Sequence, residues 1–272
     1  MNPRILLLPL VAALFAGCGK DPVTPPPEEK PQLPKKAAAK PRIEGENDKS
    51  TGDRYVTQRA ANLNVLSISG GTSHDFSKWF NDNDSAGICF MAKAKVDYME
   101  SFQTLPDEIL KHDVVYLSAN QPLDSLSRVA LMSFVDTGHG MVIIHPACWY
   151  NWLDWPEFNQ RLVGGGTKSH DKYGDFVVTV ENTEHAVTKD LPTSFRVTDE
   201  LYHFEPDPQG TPINVLATAK NLKTGEKFPA IWVVKHPKAH IVCITLGHDG
   251  ATHENPAFHT LLKNSILWAA AK

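Results

Sequence analysis

Asp113-Val-Val-Tyr-Leu-Ser118 and Met141-Val-Ile-Ile-His145 are the stretches on which the fold turns. Each is a short, almost unbroken apolar run. A strand with one wet face alternates apolar and polar side chains, whereas a parallel strand covered by helices on both faces does not. Working outward, Leu63-Asn-Val-Leu-Ser-Ile-Ser69 reads as an earlier strand, closed by Gly70-Gly71 and followed by a helix from about Asp75. Ala94 to Glu100 reads as a second, with Val96 and Tyr98 alternating. Leu123 to Thr137 has helical spacing in Leu126, Val129, Ala130 and Phe134, and ends at Gly138. Strands alternating with helices predict an α/β fold, a doubly wound, mostly parallel sheet with right-handed crossovers. The second half is richer in strand: Phe176 to Val180, Ile213 to Ala219, Ala230 to Val234 and His240 to Leu246. A last helix, Pro256 to Ala270, places Phe258, Leu261, Leu262, Ile266 and Leu267 on its buried side.

The other end of the chain reads differently. Arg4 precedes an apolar run from Ile5 to Phe15, too short to span a bilayer, which needs ~20 apolar residues. Leu14-Phe15-Ala16-Gly17-Cys18 follows it, small residues leading to a cysteine, as in a bacterial lipobox, although Phe15 replaces the usual aliphatic residue. Residues 1–18 are therefore expected to be a lipoprotein signal peptide with the lipid on Cys18; the alternative is an ordinary secretory signal. Residues 19–61 hold Pro25-Pro26-Pro27, Pro31, Pro34, Lys35-Lys36, an alanine run and Pro41, with little to bury. They read as a disordered tether. Residues 62–272 then form one domain, held at the cell envelope through the lipid and facing the periplasm or the surface. The 272 residues are 42% hydrophobic and carry a net charge of −4, without a basic patch, so nucleic acid is not an expected partner. Beyond Cys18 stand Cys89, Cys148 and Cys243, an odd number with no Cys-x-x-Cys knuckle.

In parallel sheets ligands bind beyond the carboxyl ends of the strands. His74 and Asp75 follow Gly70-Gly71, His145 ends the 141–145 run, and His248 follows Leu246-Gly247. His170 and His203 lie in expected loops that can join them. Such a cluster fits a metal site, with His74, His145 and His248 as candidate ligands for a divalent ion such as zinc, or metal-free acid–base chemistry. For Asp75 the plain alternative is a helix cap. Cys148 sits where an amidotransferase nucleophile would, but Trp149 and Tyr150 are too bulky for a nucleophile elbow. Trp149, Tyr150, Trp152 and Trp155 suit either a carbohydrate pocket or plain packing.

Taken together, these pieces resemble the ThuA-like (trehalose utilisation) family, within the class I glutamine amidotransferase-like superfamily. The matching residues are Ser69-Gly-Gly-Thr-Ser-His-Asp75, Asn120-Gln-Pro-Leu123, Gly140 to Ala147, Trp155-Pro-Glu-Phe158, Leu162 to His170, Glu184 to Pro192, Asp199-Glu-Leu-Tyr202 and Leu246-Gly-His248. The resemblance implies a flavodoxin-like sheet without the amidotransferase cysteine, and metabolism of disaccharides or keto-sugars. Carried onto this chain it implies a pocket of His74, Asp75, His145, His170, Glu200, Tyr202 and His248. The expected protein is a membrane-anchored enzyme of sugar or keto-sugar utilisation, hydrolytic or lyase-type. In it His74, His145, His248 and Glu200 do the chemistry, and Trp149, Tyr150, Trp155, His170, Asp75 and Tyr202 hold the sugar. A non-catalytic glycan-binding module is the alternative, and amidotransferase chemistry at Cys148 a weaker one.

Overall fold

A computed structural model describes residues 63–149 and 154–271. The leader of residues 1–18 with Cys18, the tether of 19–61, and Tyr150 and Trp152 lie outside the described residues. Among the described residues no helix is long and apolar enough to cross a membrane.

The described residues form eleven strands: β1 Asn64–Ile68, β2 Lys95–Met99, β3 Val114–Leu117, β4 Gly140–Ile144, β5 Gly165–His170, β6 Gly174–Val180, β7 Ser194–Asp199, β8 Tyr202–Pro206, β9 Ile213–Lys220, β10 Lys227–Val234 and β11 Ile241–Ile244. Nine of them form one sheet in the order β2-β1-β3-β4-β11-β10-β9-β6-β7, while β5 and β8 pair separately. From β2 to β11 every pairing is parallel, in the expected flavodoxin-like order. Beyond β11 the sheet continues antiparallel through β10, β9, β6 and β7.

The unbroken apolar runs have the predicted cause. Strands β3, β4 and β11 are buried at every residue. Val114, Tyr116, Val142, Ile144, Val242 and Ile244 enter one core, and Val115, Leu117, Met141, Ile143, Ile241 and Cys243 the other. Alternate residues thus feed opposite faces, and both faces need apolar side chains. The helical run of residues 76–91, which is π-helical over Phe76–Ser85, packs on the first face with the helix Pro256–Ala269. The helix Ser125–Asp136 covers the second, capped by Asp124, whose carboxylate accepts from the Ser127 N–H at 2.9 Å.

Two expected helix faces are corrected. Leu126 and Val129 are 72% and 67% exposed. The buried stripe is Ser127, Leu131, Phe134 and Val135, at i, i+4, i+7 and i+8, which leaves 126 and 129 on the far side. Leu267 is likewise 46% exposed, while Phe258, Leu261, Leu262 and Ile266 are buried as expected. Strands β5, β7 and β8 were not foreseen. Gly164 to His170 read as a loop, yet Gly165 lies so close to the Glu205 carbonyl and the Phe204 ring that no Cβ fits.

Candidate active site

The first wall is the turn after β1. Gly70 and Gly71 have φ of 107° and 133°, and Ser73 has 72°. A Cβ on Gly71 would collide with Asn120. That asparagine clamps the turn: its Nδ2 donates to the Thr72 carbonyl and its Oδ1 accepts from the Thr72 N–H, both at 2.9 Å. The same carbonyl accepts from His74 Nδ1 at 3.2 Å. A carbonyl only accepts, so Nδ1 carries the proton and Nε2 presents a lone pair; that Nε2 is buried without a hydrogen-bond partner.

His145 follows β4 directly, with a φ of 37°, a strained value for a non-glycine residue. The strained residue after this strand is therefore His145, which is fully buried, and no elbow forms at Cys148, as the bulk of its neighbours implied. Its Nδ1 donates to the Thr245 carbonyl at 2.7 Å, again fixing the tautomer. Its Nε2 accepts from the Tyr202 hydroxyl at 3.2 Å. Burial, helped by the charge of His74, holds the His145 imidazole well below its ordinary pKa, and burial lowers His74. Both rings are neutral at pH 7.

The turn after β11 brings His248. Its backbone is held by Asp199, a fully buried residue the sequence reading did not single out. One Asp199 oxygen accepts from the Gly247 N–H at 2.8 Å and the Thr252 hydroxyl at 2.6 Å; the other accepts from the Glu200 N–H at 2.7 Å. Burial pushes this carboxyl up to about 6 against those donors. The Gly247 carbonyl accepts from His253 Nε2 at 3.0 Å, while His253 Nδ1 donates to Asp84 at 2.8 Å. Both His253 nitrogens therefore face acceptors, so the ring is an imidazolium paired with Asp84. Burial pulls its pKa down, but the charge and hydrogen bond of Asp84 raise it overall. Nothing short-range in the sequence links Asp84 to His253.

Glu200 stands among the imidazoles. Its carboxylate lies 3.3 Å from His248 Nδ1, 3.8 Å from His145 Nε2 and 3.7 Å from His170 Nδ1. The contact with His248 Nδ1 is a charge contact without hydrogen-bond alignment. Burial works to raise the Glu200 carboxyl, but His248 outweighs it and holds it below the usual range; Glu200 in turn raises His248.

These groups line one cavity of about 370 Å³, with Thr72, Asn120, Pro146 and Trp149. His74, His145, His170, Glu200, Tyr202, His248 and Trp149 are thus brought together. Asp75 is not: it caps the following helix, accepting from the Lys78 N–H at 3.1 Å. Trp155 is also elsewhere, buried beside Phe158 and under the Arg128 guanidinium. His203 points away, donating to Asp171 and stacking on Phe228. Cys148 is sealed in the core, where its thiol donates to the Ile143 and Ile244 carbonyls at 3.6 Å. Buried and engaged, it cannot act as the elbow nucleophile.

The donor set fits a divalent metal. One nitrogen each of His74, His145 and His248 lies within 4.8 Å of the others. Two of the rings have their tautomer set by a backbone carbonyl, as is usual for imidazole ligands. Glu200 supplies an anionic neighbour.

A mostly parallel sheet with a histidine-lined cavity beyond its strand ends and a strained residue directly after a central strand define an open, flavodoxin-like α/β protein. The sequence model of the ThuA family, described as trehalose utilisation, matches residues 85–269. The chain belongs to that family, and the membership carries a role in carbohydrate utilisation. A ThuA-like protein from Bacteroides uniformis superposes with a TM-score of 0.67 at 22% identity, covering 78% of this chain and 93% of that one. One from Parabacteroides merdae gives 0.65 at 22% identity, over 77% and 90%. A β-galactosidase from Bacillus circulans gives 0.52 at 10% identity, over 75% of this chain and 30% of its own. No curated protein matches the chain in sequence.

Proposed function

We propose that the protein is a carbohydrate enzyme of the cell envelope, tethered through a lipid on Cys18, that acts on a disaccharide or keto-sugar by hydrolytic or lyase-type chemistry. The observation that carries it is the convergence of His74, His145, His248, Glu200 and Tyr202 on one cavity beside Trp149. His74, His145 and His248 would hold a divalent metal such as zinc, which would polarise a sugar oxygen. Glu200, ionised at neutral pH, takes a proton from a hydroxyl or from the C–H beside a ketone. The Tyr202 hydroxyl, a donor whose pKa burial raises, supplies one to a departing oxygen. Trp149 offers its face to the ring.

Metal analysis of the purified protein, with turnover assays on 3-keto-glycosides, tests the reading. Stoichiometric metal and turnover, both lost in His145→Ala, are expected. Absence of metal and of turnover, with His145→Ala changing neither activity nor sugar binding, would sink it. Sugar affinity without turnover would favour a glycan-binding module instead.

A further inference from the structure

A second, larger cavity of about 580 Å³ adjoins the histidine pocket. No residue lines both, but chain neighbours divide between them. Asp171 lines the second cavity, and its neighbour His170 lines the first. Leu201 lines the second, between Glu200 and Tyr202 of the first. Tyr173 stands at the boundary, its ring centroid 5.5 Å from that of His248.

The chemistry of the cavity is specific. Its floor is apolar, from Phe176 and Leu201, both buried. Tyr173 and Leu222, 43% and 52% exposed, add apolar surface that no part of the described chain covers fully. The Tyr173 ring is held in place, because its hydroxyl donates to the Asp249 carboxylate at 2.8 and 2.9 Å. Around this surface stand Asn221, two carboxylates (Asp171, Asp175) and two lysines (Lys172, Lys223). The charges balance, so the cavity does not select a strongly anionic or cationic ligand. A fixed aromatic face with polar groups at its edge matches a neutral ring that is apolar on its C–H face and hydroxylated at its rim.

We propose that this cavity is a second saccharide subsite, which takes the sugar unit next to the one reacting in the histidine pocket. The inference rests on the carbohydrate reading above and deepens it: the substrate class is a disaccharide or longer glycan. Tyr173 and Leu222 determine specificity for the added unit and take no part in proton transfer.

Calorimetric titration of the full chain with glucose and with trehalose tests it, using Tyr173→Ala and Leu222→Asp. Leu222 is 52% exposed and does not line the histidine pocket, so its replacement spares fold and pocket. Trehalose is expected to bind wild-type protein more tightly than glucose. Both variants should weaken trehalose about tenfold, the equivalent of about 1.4 kcal/mol, and leave glucose unchanged. Unaltered trehalose affinity in both variants, or equal loss for both sugars, overturns the subsite while leaving the carbohydrate function standing. Failure of wild-type protein to bind either sugar overturns the function and the subsite with it.

Discussion

Replacing Gly71 with alanine tests how the first wall of the site is built. Gly71 has a φ of 133°, a region that L-residues avoid, and imposing it on alanine costs about 1–3 kcal/mol. The alanine's smaller unfolded-state entropy returns about 0.4–1 kcal/mol. The new Cβ would sit on Asn120 Oδ1 and 2.9 Å from its Cγ, so the asparagine side chain must leave. Its departure breaks the two 2.9 Å hydrogen bonds to Thr72, each about 0.5–1.5 kcal/mol net. The total is about 1–6 kcal/mol, lost from a turn that positions His74 three residues on. Urea unfolding gives the stability, and a double-mutant cycle with Asn120→Ala gives its origin. With Asn120 already truncated, Gly71→Ala should cost only the backbone strain, about 1–3 kcal/mol less than in the wild type. An equal cost in both backgrounds, or a cost below about 0.5 kcal/mol in the wild type, would refute the clash and clamp described here.

Three further outcomes are expected. His253 has a folded pKa above its ordinary value, so its stabilisation is complete below about pH 6.5 and is lost as pH rises through the folded value. The stability difference between wild type and His253→Gln should therefore shrink as pH climbs above neutrality; a difference that grows would contradict the charged His253–Asp84 pair. Zinc at a hundred times its Kd should stabilise metal-free protein by about 2.7 kcal/mol, read as a rise in Tm, and His145→Ala should abolish the rise. That affinity should fall as the pH is lowered, because His248, raised by Glu200, must lose its proton to ligate while His74 and His145 are already neutral. An equal zinc shift in both proteins would place the metal elsewhere. Finally, Cys148→Ser should leave sugar turnover within about twofold of wild type, since the thiol is sealed among carbonyls. A loss of several orders of magnitude would restore the cysteine as nucleophile.

Much of the site was legible because it lies where chain periodicity changes. His74, His145 and His248 each follow a strand that can be read from its apolar run, and parallel strands deliver their ends to one edge. Asp75 and Trp155 were misplaced for a different reason. A residue next to a site residue need not share its direction: Asp75 turns back to cap its helix, and Trp155 starts a new one. Asp199, quoted only within the 199–202 match, was given no role because its partners Gly247 and Thr252 lie about fifty residues away, with no local pattern joining them.

By itself the sequence determined the parallel half of the sheet, its doubly covered faces, the family, and the histidines at the strand ends. Those properties follow from local periodicity and from residue types that mark turns. Only the tertiary structure decided which nitrogen of His74 and of His145 carries the proton, that the strained residue after β4 is His145, and that His253 is charged. The His145 tautomer and the His253 charge depend on the Thr245 carbonyl and the Asp84 carboxylate, which arrive from distant segments. Hydrogen-bond direction is set by what arrives in space, and that is not written in the order of residues.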